Sequence, residues 1–169
     1  MDNKDLSLLG KHSEFFRTPE EAKLEAFPNR SPQRRYVVTL DTHEFSSLCP
    51  VTGQPDSCHL TITYCPAEKV VETKSLKYYL VSFRNYAAFN EQVVNRILDD
   101  LVAAVEPAWM KVTGRFGARG GIQLTCEAEH NPGNRPALGT APPRGGLRPF
   151  LRLRQQPRRP RAFLRPLAG

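Results

Sequence analysis

The chain has 169 residues, enough for one domain with a real core, and carries 24 Lys+Arg, 17 Asp+Glu and four cysteines. It has no run of eighteen apolar residues to span a membrane, and Met1-Asp2-Asn3-Lys4-Asp5 lacks the basic-then-apolar pattern of a signal peptide. The formal net charge of +7 is uneven: residues 1–129 hold 15 Lys+Arg against all 17 acids, for −2, while residues 130–169 hold nine Arg and no acid, for +9.

Residues 1–30 read as a polar lead-in, with Leu8-Leu9, Phe15-Phe16 and Phe27 apolar enough to lie across a surface. Pro28-Asn29-Arg30-Ser31-Pro32 is a turn cluster. Residues 31–130 read as the folded domain. Arg35-Tyr36-Val37-Val38-Thr39-Leu40 is β-branched and aromatic, a good first strand. Thr42-His43-Glu44-Phe45 reads as a short turn or helical start leading to Cys49.

The stretch Ser46-Ser47-Leu48-Cys49-Pro50-Val51-Thr52-Gly53-Gln54-Pro55-Asp56 sets a cysteine on a stiff turn and brings a carboxylate back seven residues later. Pro50 and Pro55 deny the region a helix, and Gly53 permits φ > 0 where the chain reverses. That arrangement suits a nucleophile with a proton donor, although a buried structural cysteine in a loop is the alternative on these residues alone.

His59-Leu60-Thr61-Ile62-Thr63-Tyr64-Cys65 alternates as a half-buried strand and should pair with the first as a hairpin, with the cysteine loop at one end. Cys58 and Cys65 read as packing residues. From Val71 to Asn85, Leu76, Tyr79, Leu80 and Phe83 have helical spacing; Phe89, Val93, Ile97, Leu101 and Val105 give a second helix, ended by Pro107. Trp109–Phe116 and Gly121–Cys126 read as two more strands around the arginine-bearing turn Gly117-Ala118-Arg119-Gly120-Gly121, which could grip a phosphate or simply close a hairpin. The order is ββααββ, an α+β domain with two helices on one face of an antiparallel sheet.

The four cysteines contain no C-x-x-C pair, and His12, His43, His59 and His130 show no ligand spacing, so no zinc site, no disulfide scaffold and a reducing cytoplasm are expected. Residues 131–169, almost wholly Arg, Pro, Leu, Gly and Ala past residue 136, read as a disordered tail, either a basic nucleic-acid arm or an end foreign to the domain; the second is preferred, so no specific nucleic-acid partner is expected.

Four motifs in order then carry a resemblance. Glu72-Thr73-Lys74-Ser75-Leu76-Lys77-Tyr78-Tyr79-Leu80-Val81-Ser82-Phe83-Arg84-Asn85, the cysteine stretch Ser47–Asp56, Phe89-Asn90-Glu91 and Arg119-Gly120-Gly121 resemble the 7-cyano-7-deazaguanine reductases, nitrile reductases of the queuosine pathway, in their single-module form. The resemblance implies a tunnelling fold assembled as a symmetric homo-oligomeric barrel with active sites between subunits. It implies reduction of the nitrile of 7-cyano-7-deazaguanine to the aminomethyl group with two NADPH and no metal. By it Cys49 is the nucleophile, forming a covalent thioimide, and Asp56 the proton donor. Val71, Glu72, Thr73, Asn90 and Glu91 hold the deazapurine, and Thr73, Lys74, Arg119 and Gly120 face NADPH. Asn90 stands where the family usually has histidine, and Thr73 where it usually has serine. Two rival readings are a zinc-dependent GTP-cyclohydrolase-like pterin enzyme, which needs a Cys/His metal site, and a nucleic-acid-binding protein using the tail.

Overall fold

A computed structural model describes residues 16–134, all within one compact unit that ends at Arg135. The readings made on residues 1–15 and on the Arg/Pro-rich segment from 135 onward lie outside the described residues. Two long strands dominate: β2 (Val38–Leu48) and β3 (Pro55–Cys65) pair antiparallel, with Asp41 opposite Thr61 and Ser47 opposite Asp56. β5 (Trp109–Phe116) pairs with β3, and β6 (Thr125–His130) with β5, giving a four-stranded antiparallel sheet in the order β2-β3-β5-β6.

The sheet has two unlike faces because its strands alternate. Cys58, Leu60, Ile62 and Tyr64 of β3, Met110, Val112 and Phe116 of β5 and Ala128 of β6 are buried with the helices α1 (Thr73–Val81) and α2 (Asn90–Val105). Helical spacing delivers the other half of that core: Leu76, Tyr79 and Phe83 from α1 and the short 3₁₀ turn after it, Val93, Ile97, Leu101 and Val105 from α2. The Tyr79 hydroxyl donates to Asp100 Oδ2 at 2.7 Å and ties the two helices together. The opposite face is polar, with Lys111 paired to Glu127 at 2.8 Å and Trp109 Nε1 donating to Glu129 at 2.7 Å. Burying Leu60, Ile62, Met110 and Ile97, each at most 2% exposed, stabilises the domain by about 1.5–3 kcal/mol per side chain.

Three expectations are corrected. Thr42–Phe45 is not a turn or helical start: β2 runs straight through it, with a register shift between Thr42 and Phe45 that leaves both His43 and Glu44 exposed. The last strand is Thr125–His130 rather than Gly121–Cys126, because Gly120 and Gly121 have φ of 55° and 80° and turn the chain first. Within the lead-in, β1 (Ala26–Pro28) pairs with β4 (Lys69–Val71) as a second, two-stranded sheet. No helix among the described residues is long and apolar enough to cross a membrane.

Candidate active site

The turn between β2 and β3 is small and closed by its own backbone: Cys49 N–H donates to Gln54 O and Gly53 N–H to Cys49 O, both at 2.9 Å. Gly53 supplies the positive φ (67°) that this reversal needs. The turn therefore presents Cys49 at the end of the hairpin. The Thr52 hydroxyl and backbone N–H, then the Arg119 guanidinium and the Val51 N–H, surround its sulfur and lower its pKa from the ordinary thiol value to about 6. Cys58 behaves oppositely: burial pushes its thiol up to about 12. Burial, with Glu91 and Glu127 nearby, raises Cys126 as well.

Asp56 is the second residue of β3, on the buried side of the strand, and its side chain is only 7% exposed. Arg119 Nη2 lies 2.5 Å from Asp56 Oδ1 and 3.5 Å from the Gln54 carbonyl. The guanidinium thus bridges the strand that bears the acid and the loop that bears the thiol. Arg119 reaches there because its turn is anchored twice: Arg119 N–H and Ile122 N–H exchange hydrogen bonds with each other's carbonyls, and Gly117 N–H donates 2.9 Å to Ser57 O.

The start of α2 is brought to the same place. Leu48 N–H donates to Tyr86 O and Ala88 N–H to Leu48 O, which fixes Phe89, Asn90 and Glu91 beside the residue preceding Cys49. Asn90 Oδ1 is buried with no hydrogen-bond partner among the described residues, an acceptor left for a donor. Val51, Phe89 and Ile122, from the three segments that meet here, are 79%, 54% and 77% exposed, an apolar rim to this group of residues.

Val71, Glu72, Thr73 and Lys74 belong to a different neighbourhood, where β4 passes into α1. Glu72 is the N-cap of α1: its Oε1 accepts from Lys74 N–H at 2.8 Å and its Oε2 from Ser75 N–H at 2.7 Å, which absorbs two of the helix's orphan donors. Its own N–H donates to Glu25 O, and Val71 N–H donates to the buried Tyr64 hydroxyl at 3.2 Å. Within one chain, then, Cys49, Asp56, Asn90, Glu91 and Arg119 form one group, and Val71–Lys74 form another around the α1 N-terminus.

Sequence reading missed two residues at the first group. Thr52 contributes the largest influence on the Cys49 thiol, and only its place three residues after the cysteine in a tight turn could have signalled that. Ser47, wholly buried and opposite Asp56, has a hydroxyl without a partner among the described residues; its seryl neighbours gave no reason to single it out. At the second group, Glu25 is 5% exposed and donates its N–H to Ser75 Oγ, a contact fifty residues away in sequence. The histidines, which show no metal-ligand spacing along the sequence, are partly reunited by folding: Asp41, His43 and His59 place their ligand atoms within 4.8 Å of one another. That cluster has no cysteine, so the Cys/His zinc centre of the pterin-enzyme reading is not assembled among the described residues.

Residues 55–135 match a protein-family model described as QueF-like protein. The chain is 52% identical over 129 residues to the NADPH-dependent 7-cyano-7-deazaguanine reductase of Syntrophus aciditrophicus, covering 76% of this chain and 89% of that one. It is 48% identical over 121 residues to the protein of the same name from Bacteroides fragilis, covering 72% and 80%. Among solved structures it resembles an archaeosine synthase QueF-Like in the apo form, at 28% identity and a TM-score of 0.52, over 55% of this chain and 91% of that one.

Proposed function

The chain belongs to the family of NADPH-dependent 7-cyano-7-deazaguanine reductases, and we propose on that footing that it reduces the nitrile of 7-cyano-7-deazaguanine to the primary amine in the queuosine pathway of tRNA modification. The observation that carries the reading is the thiol of Cys49, held near a pKa of 6 beside Asp56 and Arg119. A nitrile is a weak electrophile, so a soft thiolate formed at neutral pH is the right first partner.

Cys49 Sγ adds to the nitrile carbon, and one proton goes to the nitrile nitrogen, giving a thioimide. Asp56 stands on the same side of the hairpin and relays that proton. Arg119 holds the Asp56 carboxylate and the sulfur together before reaction, and its charge offsets theirs. Bound NADPH would supply one hydride to the thioimide, which expels the Cys49 thiolate and leaves the imine, and a second NADPH would supply the hydride that gives the amine as one further proton is taken up. The balance is one nitrile, two NADPH and two protons to one amine and two NADP⁺.

The chemistry of the donor set fits both ligands. The deazapurine edge, rich in N–H donors, meets acceptor-only carboxylates at Glu72 and Glu91, the amide oxygen of Asn90, and the backbone at Val71 and Thr73. Asn90 replaces the charge of the family's usual histidine with a neutral hydrogen-bonding group, and its unpartnered buried oxygen suits a substrate N–H. Lys74 and Arg119 match the phosphates of NADPH, with Thr73 and the open Gly120 turn beside them.

Two features support a ring-shaped homo-oligomer of the tunnelling type with the site completed between copies. The strands β2 and β6 are both edges of the sheet in one chain, and unpaired edges invite pairing. The two groups of site residues, around Cys49 and around the start of α1, would meet across such a joint, and the apolar rim of Val51, Phe89 and Ile122 would be covered by it.

The function is tested by following NADPH absorbance when 7-cyano-7-deazaguanine is added. Two NADPH oxidised per amine formed is the expected stoichiometry. No oxidation, with the chain folded, would contradict the reading.

A further inference from the structure

The polar face of the sheet carries a second constellation that nitrile reduction does not use. Asp41 and His43 alternate on β2 and so share that face, and the register shift after Thr42 keeps His43 outward beside His59 of the neighbouring strand. His59 Nε2 lies 2.9 and 2.8 Å from the two Asp41 oxygens, and His43 Nε2 lies 3.8 Å from Oδ1. The two imidazoles are stacked, centroids 3.8 Å apart at 16°. Thr61 Oγ1 donates 2.8 Å to Asp41 Oδ2, fixing the carboxylate from behind.

We infer that Asp41, His43 and His59 form a site for one divalent transition-metal ion of the zinc, cobalt, nickel or copper class. The donor set is two imidazoles and one carboxylate, which suits these borderline ions and not the oxygen-seeking Mg²⁺ or Ca²⁺. Ligand atoms about 2.0–2.2 Å from a tetrahedral ion stand roughly 3.3 Å from each other. The observed separations, from 2.8 Å to within 4.8 Å, bracket that value. His43, the most exposed of the three side chains at 75%, swings out of the stack to bring its nitrogen into line. The Thr61 hydroxyl orients the carboxylate as outer-shell donors commonly do. Solvent completes the coordination, since Asp41 is 46% exposed.

The ion would clamp β2 to β3 at the irregular point of their pairing. It would take no part in the chemistry: Cys49 is six residues beyond His43 along the strand, about 20 Å at ~3.3 Å per residue. The role is structural, bracing the hairpin that carries both Cys49 and Asp56.

The test is calorimetric titration of the full chain, stripped by chelator dialysis, with Zn²⁺, repeated for His59→Gln, His43→Gln with His59→Gln, and Cys49→Ser. Cobalt spectra then report whether nitrogen and oxygen or sulfur binds. One equivalent is expected to bind with affinity reduced at least tenfold in His59→Gln and lost in the double variant, but kept in Cys49→Ser, with cobalt bands lacking thiolate charge transfer. Zinc should raise the melting temperature of the parent chain and not of the double variant, while the double variant retains nitrile reduction. Binding that survives the double variant, disappears in Cys49→Ser or requires millimolar zinc would overturn the site.

Discussion

The Cys49 thiol has a lowered pKa because its turn aims the hydroxyl and N–H of Thr52, the Val51 N–H and a guanidinium at one sulfur. The sign of the pH effect follows directly. With its pKa lowered to about 6, the sulfur is thiolate above that pH and thiol below it. Iodoacetamide alkylation of Cys49 should therefore rise through pH 6 and level off by pH 7–8. Thr52→Val and Arg119→Gln each remove a donor, so each should move the midpoint upward and slow alkylation at pH 7; a midpoint unmoved in both variants would show that the loop backbone alone sets the thiol. That Cys49 and Asp56 stand at the two ends of one proline-bounded turn was legible in the sequence. The part played by Thr52 and the reach of Arg119 onto Asp56 were not, since a guanidinium 63 residues beyond the acid needs the fold to deliver it.

The elements were legible where one physical signal dominated. Helical spacing foretold the buried stripes of α1 and α2, and alternation foretold β3. It failed where the signal was mixed. His43 and Glu44 both face solvent across the register shift in β2, which breaks the alternation and imitates a turn. Ile122 looked like a strand residue but is 77% exposed at the site rim. β1 exists only because β4, some forty residues on, gives it a partner. At the start of α1, Glu72 is a cap and also a substrate candidate, and two substitutions separate the roles. Glu72→Ala removes both acceptors and should destabilise the chain by about 1 kcal/mol, a fall of roughly 3–6 °C in melting temperature. Glu72→Gln keeps one acceptor for the helix and loses the charge. It should melt close to the parent and raise KM for the nitrile roughly tenfold or more. A KM unchanged in Glu72→Gln would leave Glu72 as a cap alone.

At the scale of the whole molecule, charge and fold separate. Residues 136–169 contain eight arginines, seven prolines and no acid, and they lie past every motif of the resemblance and past the match to the family model at residue 135. A chain ending at residue 135 should reduce the nitrile at a rate within about twofold of the full chain. It should also lose the low-salt adhesion to nucleic acid that a basic arm brings. Loss of NADPH-dependent activity in the shortened chain would mean that the arginine-rich end belongs to the working enzyme.

Covalent capture of the nitrile by one particular sulfur is the centre of the account, and intact and peptide mass spectrometry test it most directly. The chain is mixed with 7-cyano-7-deazaguanine in the absence of NADPH, then digested. An adduct of the substrate's mass is expected on the peptide containing Cys49, absent in Cys49→Ala. In Asp56→Asn it should form slower by roughly two to four orders of magnitude. An adduct on Cys58, Cys65 or Cys126, or one that forms at the same rate without the Asp56 carboxyl, would contradict it.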